Sequence, residues 1–269
     1  MMRKLEAVNV QKITSFLTVS MIMTPRNELC TFKPNDTIFH ALNIMRKKNY
    51  DIAPIEDNGI LNKFIKREEL EKAPPSDTCD KVARIISVEH IISENMSIED
   101  LLSLFCKQDF FFVLGRGGIV GMVTYADLNK IAVKTLFYLL ISELQENLLK
   151  LIRQRFPKTE ICLEYLSQEQ KEKIMKIYNQ AKNANTELPI EYYFMFSHII
   201  EIISKDAELR EKCGFTSRSQ AEKMLNPLVD LRNTIMHQRP LIMQKNDIEK
   251  LKQRYDTLQN LIQQCLRSL

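Results

Sequence analysis

Three polar residues near the end of a predicted helix, Arg232, Asn233 and His237, combine groups that could act on a phosphate ester. An arginine guanidinium binds phosphate oxygens through two parallel hydrogen bonds. An imidazole titrates near neutral pH, so His237 could transfer a proton. On a helix, Asn233 and His237 share a face with Asp230, whereas Arg232 points about 140° away from His237. Arg232 and His237 therefore converge only if the helix loosens at its end, which Pro240 favours.

Arg232 is predicted to lie on the apolar side of this helix. That side carries Leu225, Leu228, Val229, Ile235 and Met236. A buried guanidinium without a partner is costly, so Arg232 must meet an acid, a partner subunit or a ligand phosphate. Glu143, on the edge of the apolar stripe of an earlier helix, is a candidate acid. Two interpretations stay open: a reactive site, or a structural arginine paired with Glu143 while His237 complements the helix dipole.

A second polar motif, Gly121-x-x-Thr124-x-x-Asp127, lies where a predicted strand turns into a helix. Thr124 can cap the helix, and its hydroxyl and nearby backbone N–H groups can face an anion. Asp127, one turn along, could accept hydrogen bonds from two ribose hydroxyls. The alternative is a capping box, in which the acid only satisfies the helix start.

The elements that position this motif form a weak repeat of about 65 residues, each copy reading β-α-β-β-α. The first copy begins with Met21–Pro25 and continues with a strand and helix start at Phe32–Thr37. It then has a helix through Ala41, Leu42 and Met45, strand Asp51–Ile55, a turn at Asp57–Gly59, strand Phe64–Ile65 and helix Arg67–Leu70. The second comprises Ile91–Ile92, helix Ser97–Phe105, strand Phe110–Leu114, a turn at Arg116–Gly118, strand Ile119–Val123 and helix Tyr125–Ile131.

The repeat resembles a tandem pair of CBS domains (cystathionine-β-synthase motif) over about residues 17–132. The Met23-Thr24-Pro25 opening, the strand Ile52–Ile55 and the two hairpin-plus-helix endings carry the resemblance. It implies a two-module unit that binds an adenosine-type ligand, AMP, ATP or a nucleotide second messenger, through Gly121, Thr124 and Asp127.

The first copy departs from the family pattern at the matching positions. It has Lys63, Lys66 and Glu69 where the pattern has glycine, threonine or serine, and aspartate. One ligand site per chain is therefore expected, in the second copy.

From Val133 the sequence predicts five helices joined by short connections, which is typical of a bundle. Their predicted bounds are Val133–Phe156, Ser167–Asn183, Ile190–Ser204, Arg218–His237 and Asp247–Leu266. His198, among apolar residues of the third helix, is expected to be a core histidine.

The bundle, with Arg232-Asn233-x-x-x-His237 late in its fourth helix, resembles a HEPN domain (higher eukaryotes and prokaryotes nucleotide-binding) over about residues 134–267. The polar residue after the arginine is the form of the ribonuclease branch. The resemblance implies a homodimer that cleaves RNA without a metal. His237 would move the 2′-OH proton, Arg232 would stabilise the phosphorane, Asn233 would orient the phosphate or the imidazole, and Glu143 would be the polar partner of Arg232.

Composition limits the class of protein. Hydrophobic residues make up 45% and charged residues 27% of the 269 residues, which indicates a folded globular protein with room for two domains. The net charge of +4 does not predict stable nonspecific binding to duplex nucleic acid. The cysteines are scattered without a CxxC pair, so reduced, mostly buried thiols are expected rather than a metal site.

No membrane association is expected. The sequence has no apolar run long enough to cross a bilayer, and the opening MMRKLEAVNVQK lacks the apolar core of a signal peptide. A cytoplasmic location is predicted.

These observations predict an α+β protein in three parts. They are an N-terminal segment 1–16, a CBS pair at 17–132 (modules 17–73 and 76–132) and an all-α HEPN-like domain at 133–269. The junction near Ala132–Thr135 is predicted to be one continuous helix.

The combination favours a nucleotide-regulated endoribonuclease that requires no cofactor, of the kind found in bacterial defence or toxin-like systems. The alternative is a non-enzymatic adenine-nucleotide sensor or scaffold that acts through a helical interaction domain. A third interpretation, a HEPN fold that itself binds a nucleotide, stays open.

Overall fold

The computed structural model describes residues 10–269, and the chain divides into two compact units. The sheet unit is Leu17–Leu128, and the helical unit is Asn129–Leu269 together with residues 10–16. The predicted N-terminal segment falls partly on residues 1–9, which lie outside the described residues.

The sheet unit contains two sheets and short helices. Its strands are β1 (Thr24–Pro25), β2 (Ile52–Asp57), β3 (Ile60–Lys66), β4 (Arg84–Ile85), β5 (Ile91–Ser93), β6 (Phe110–Gly115) and β7 (Gly118–Thr124). One sheet has the order β1-β7-β6-β5 and the other β2-β3-β4. The strand predicted near Phe32 is wrong: Phe32 forms only an isolated bridge to Ile55, because Lys33 and Pro34 turn the chain immediately afterwards.

The two copies of the repeat exchange strands. β1 lies in the segment that opens the first copy but pairs with β7 of the second, with Pro25 opposite Gly121. β4 precedes the second copy but pairs with β3 of the first, with Lys63 opposite Ile85. Each sheet therefore contains a strand from the segment that leads into the other copy, and backbone hydrogen bonds join the copies.

Side chains with helix-start chemistry begin the helices of the sheet unit. The helices of this unit are α2 (Ile38–Lys48), α3 (Arg67–Leu70) and α4 (Ile98–Phe105). The preceding helix, α1 (Val10–Thr14), belongs to the helical unit and contacts its long helix Ile131–Arg155. Thr37 Oγ1 accepts a hydrogen bond from the His40 N–H at 3.3 Å, and Ser97 Oγ accepts one from the Asp100 N–H at 3.0 Å. These caps fix where α2 and α4 start.

The helix predicted over Tyr125–Ile131 is wrong. Tyr125–Asn129 forms a 3₁₀-helix, and extended Lys130 (φ −69°, ψ 155°) then separates it from α5 (Ile131–Arg155). α5 belongs wholly to the helical unit, whose boundary lies between Leu128 and Asn129. Ala132–Thr135 therefore lie within one continuous helix, as expected, but that helix does not extend back into the sheet unit.

The helical unit continues with α6 (Gln168–Asn183), α7 (Phe196–Lys205), α8 (Ala207–Lys212), α9 (Arg218–Met236) and α10 (Asp247–Ser268). The predicted third helix, Ile190–Ser204, is divided: Ile190–Tyr193 is 3₁₀, and extended Met195 precedes α7. α8 was not expected. It forms because Asp206 turns the chain and its Oδ1 accepts a hydrogen bond from the Leu209 N–H at 2.9 Å.

Candidate functional site

Arg232 lies beside the apolar stripe of α9 and is half-buried. The residues buried along this helix are Ala221, Leu225, Leu228, Leu231 and Ile235. The expected stripe was partly wrong, because Val229 is only half-buried and Met236 is 49% exposed. Arg232 Nη1 donates to Asn233 Oδ1 at 3.4 Å, which is long for a hydrogen bond. The guanidinium therefore keeps most of its donors for another partner.

Glu143 does not pair with Arg232. No ion pair or hydrogen bond joins these two side chains in the part of the chain that the structure describes. Burial raises the pKa of the half-buried Glu143 carboxyl, and the charge of Lys150 partly offsets that shift. The ion pair on which the structural interpretation of Arg232 depended is therefore not formed.

α9 stays regular up to His237 and is closed immediately after it. The His237 N–H still bonds to the Asn233 carbonyl at 3.0 Å. Gln238 then takes a left-handed conformation (φ 55°), and the N–H groups of Gln238 and Arg239 bond back to Ile235 and Thr234 at 3.0 and 2.9 Å. These bonds form a Schellman motif. The expected loosening before His237 is wrong, so within one chain helical periodicity holds the exposed His237 away from Arg232.

Asn129 holds the segment that follows α9. Its Oδ1 accepts hydrogen bonds from the N–H groups of Leu241 (2.7 Å) and Ile242 (3.0 Å), and its Nδ2 donates to the Ile242 carbonyl at 2.8 Å. This contact joins residues more than a hundred positions apart, so nothing in the local sequence could have indicated it. It fixes the chain close to the candidate residue His237.

An acidic cavity of about 490 Å³ lies between α7 and α9. Glu201, Glu222 and Asp230 line it, together with Arg218, which pairs with Glu222 at 2.7 Å. Asn233 follows Asp230 by about one turn on the same helix face. A phosphate approaching Asn233 from this side meets carboxylates, whereas Arg232 points to another side of α9.

The need for glycine at position 121 follows from the close approach of β1 to β7, not from a ligand. A Cβ at this position would lie 2.6 Å from the Thr24 carbonyl oxygen and 2.9 Å from Met23 Sδ. Only glycine therefore allows β1 to approach β7 this closely.

Thr124 and Asp127 are brought together at the start of the 3₁₀-helix. Asp127 Oδ2 accepts hydrogen bonds from the Thr124 N–H at 2.7 Å and from Thr124 Oγ1 at 3.1 Å. Asp127 is 9% exposed. These hydrogen bonds are the ones expected if Asp127 only caps the start of the helix, and both are accepted by the same oxygen, Oδ2.

A cavity of about 620 Å³ opens in the sheet unit at the other end of β7. Its polar lining includes Arg26, Glu56 and Arg116. Arg26 Nη2 bonds to Glu56 Oε1 at 2.7 Å and to the Gly59 carbonyl at 2.5 Å. Arg116, in the exposed β6–β7 turn, has no ion-pair partner among the described residues. The cavity is of a size typical of small-molecule sites and presents one free guanidinium.

Arg26, Glu56 and Arg116 are not among the site residues predicted from the sequence. The turn Arg116-Gly117-Gly118 was visible only as a turn, and its glycines have φ values of +88° and +134°. Nothing local indicated that β1 would bring Arg26 to the same cavity. Val120, which lines the cavity, lies about 13 Å from Thr124, because Thr124 is four positions further along β7.

Among the described residues, no group of His, Cys, Asp and Glu side chains is arranged to hold a metal ion. No helix in the same part of the chain has the length and apolar character needed to span a membrane. Cys79, Cys162, Cys213 and Cys265 are buried as free thiols, whereas Cys106 is exposed.

Known proteins resemble the first part of the chain. Residues 19–73 match the family model of the CBS domain. Over 111 residues the chain is 25% identical to the CBS domain-containing protein YhcV of Bacillus subtilis (strain 168), which covers 39% of this chain and 79% of that protein.

Two solved structures are similar at lower identity. The CBS domain of a bacterial CNNM/CorC family Mg²⁺ transporter in complex with ATP is 19% identical, with a TM-score of 0.39, over 48% of this chain and 93% of that one. CBSX2 in complex with AMP, a protein of Arabidopsis thaliana, is 20% identical, with a TM-score of 0.38, over 44% and 97%. The predicted first CBS module, 17–73, is confirmed by the match to the family model over residues 19–73. The second module at 76–132 and the HEPN-like interpretation of the helical unit stay predictions.

Proposed function

We propose that this protein senses a nucleotide through its sheet unit and that the bound nucleotide regulates the helical unit. The observation that carries the proposal is the cavity of about 620 Å³ beside the unpaired Arg116, in the unit that contains the CBS domain. A guanidinium without a carboxylate partner is available for a phosphate. Adenosine ligands are the first candidates because the CBS resemblance implies them.

The proposal has two contact regions. Arg116, with Arg26 beside it, meets the phosphate groups. Thr124 and Asp127, the residues predicted from the sequence, meet the ribose, while Gly121 allows the strand between the two regions to pack against β1. The two regions lie about 13 Å apart along β7, so one ligand reaches both only through an extended triphosphate such as that of ATP.

Calorimetric titration with AMP and ATP tests the phosphate contact. We expect Arg116→Ala to weaken ATP binding roughly ten- to a hundredfold, since a hydrogen bond to a charged group contributes about 1.5–3 kcal/mol. Lys107→Ala is the matched control, because it removes an exposed cation of the same unit that does not line the cavity. Equal affinities in wild type and Arg116→Ala, or no binding of either nucleotide, would contradict this assignment.

For the helical unit we propose metal-independent RNA cleavage by Arg232, Asn233 and His237. The observation that favours it is the half-buried Arg232, which has no carboxylate partner among the described residues and only the 3.4 Å bond to Asn233. Since Arg232 and His237 point apart on a regular helix, the proposed site combines residues of two chains in a homodimer. Glu143, which does not contact Arg232, is proposed only as an acid of raised pKa near the site.

Cleavage of labelled single-stranded RNA in EDTA tests this second proposal. His237→Ala should abolish cleavage, whereas Gln238→Ala, next to it but outside the proposed site, should retain most of it. RNA that stays intact with wild type, with nucleotide binding retained, would instead support a sensor or scaffold without enzymatic activity.

A further inference from the structure

A second cavity of the helical unit lies between α9 and α10, and all the charged residues that line it are basic. Its volume is about 210 Å³. The basic residues are Lys223 on α9 and Lys250 and Arg254 on α10, and none of the described residues that line it is acidic. The side-chain amide of Gln253 adds further hydrogen-bond donors, whereas Thr257 donates its hydroxyl to the Gln253 carbonyl at 2.9 Å.

These cations are poorly neutralised. Lys250 Nζ lies 3.2 Å from Asp247 Oδ1. Lys223 and the half-buried Arg254 form no ion pair with any residue that the structure describes. Like charges gathered around one cavity repel each other, so a bound anion stabilises the arrangement.

We propose that this basic cavity binds a phosphate group of a single-stranded polynucleotide. Met224, Pro227 and Leu228 line the same cavity and offer apolar surface for the sugar or base beside the phosphate. Leu228 lies one helical turn before Arg232, about 6 Å along the axis of α9. A strand held in the basic cavity can therefore continue toward Arg232, on the side away from the acidic cavity. The choice of RNA rests on the proposed cleavage, but the anion site itself does not.

Binding of a short fluorescent single-stranded RNA, measured by anisotropy in EDTA at several KCl concentrations, tests the inference. The variant is Lys223→Ala/Arg254→Ala, and the control is Lys176→Ala/Lys182→Ala, which removes two exposed cations of α6. All proteins carry His237→Ala, so that no RNA is cleaved.

We expect the cavity variant to reduce the magnitude of the negative slope of log affinity against log salt by about 0.7, because one phosphate contact to a single strand contributes about 0.7. The control should keep the slope of the parent protein. Inorganic phosphate should compete only weakly, because it lacks the sugar and base contacts.

Three results overturn the inference. They are an unchanged slope in the cavity variant, an equal loss in the control, and full competition by inorganic phosphate at an affinity matching that of RNA, which would make this a small-anion site. Each is distinct from failure of the proposed function. An RNA that binds through the cavity in this experiment, but that the protein with His237 intact does not cleave in EDTA, contradicts only the cleavage proposal.

Discussion

The backbone of β1 leaves no room for a side chain at position 121. The added methyl group of Gly121→Ala would meet backbone at 2.6 Å, and β1 cannot withdraw without breaking its pairing with β7. We expect the free energy of unfolding to fall by about 1–3 kcal/mol, as for other overpacked sites. The urea midpoint of the purified protein measures this. A midpoint equal to that of wild type would show that the strands separate freely here.

Asp127 has one carboxylate oxygen occupied by Thr124, and Asp127→Asn separates the capping role from ligand binding. The amide oxygen can still accept the Thr124 N–H, so we expect the unfolding midpoint to change little. If the carboxylate also binds ribose, ATP affinity should fall roughly tenfold or more.

Asp100→Asn is the matched control. Asp100 also follows a hydroxyl residue by three positions at a helix start, but it is exposed and accepts the Ser97 hydroxyl at 2.7 Å. Equal ATP affinities in wild type, Asp127→Asn and Asp100→Asn would leave Asp127 with the capping role alone.

At the scale of the element, α7 carries a buried histidine that makes stability depend on pH. Burial lowers the pKa of His198; Lys173 lowers it further, and Glu201 partly opposes the shift. Below about pH 6.5 the unfolded chain binds a proton that the folded protein does not, so stability falls as the pH is lowered from 6.5 toward the folded pKa. The expected slope is at most about 1.4 kcal/mol per pH unit.

Urea unfolding of wild type and His198→Asn between neutral and mildly acidic pH checks this. The amide oxygen of asparagine can replace Nδ1, which accepts the Met195 N–H at 3.2 Å, but it does not titrate. The variant should therefore lose the slope in this window. The same slope in both proteins would assign the pH dependence to other groups.

Elements set by local chemistry could be predicted from the sequence, and those set by distant contacts could not. The hairpins β2–β3 and β6–β7 and the start of α4 at Ser97 follow from alternation, turn residues and capping. The exchange of β1 and β4 could not be predicted, because a strand of two residues has no periodicity. The cavity beside Arg116 depends on that exchange, so its lining was missed for the same reason.

For the candidate residues of the helical unit, too, local sequence predicted the element that carries them but not their distant contacts. The spacing of Arg232, Asn233 and His237 placed them on α9 as expected. The partner of Arg232 could not be deduced, because a charge partner depends on which helices pack together. The end of α9 was misjudged because Pro240 acts only after Gln238 has closed the helix.

At the scale of the whole molecule, the central claim is that a ligand of the sheet unit controls the helical unit. Among residues 10–269 no helix runs from one unit into the other, since α5 begins at Ile131 inside the helical unit. The proposed regulation therefore requires that ligand binding changes how the helical parts of two chains meet, rather than the bending of one helix. Ligands that couple two sites typically change affinity or rate about 5- to 150-fold.

The most direct test is the rate of RNA cleavage in EDTA with and without saturating ATP or AMP. Wild type is compared with Arg116→Ala and His237→Ala. We predict that at least one nucleotide changes the wild-type rate about fivefold or more, that Arg116→Ala needs a higher nucleotide concentration for the same change, and that His237→Ala is inactive throughout. A wild-type rate that is the same at every nucleotide concentration, although the nucleotide binds, would contradict the account.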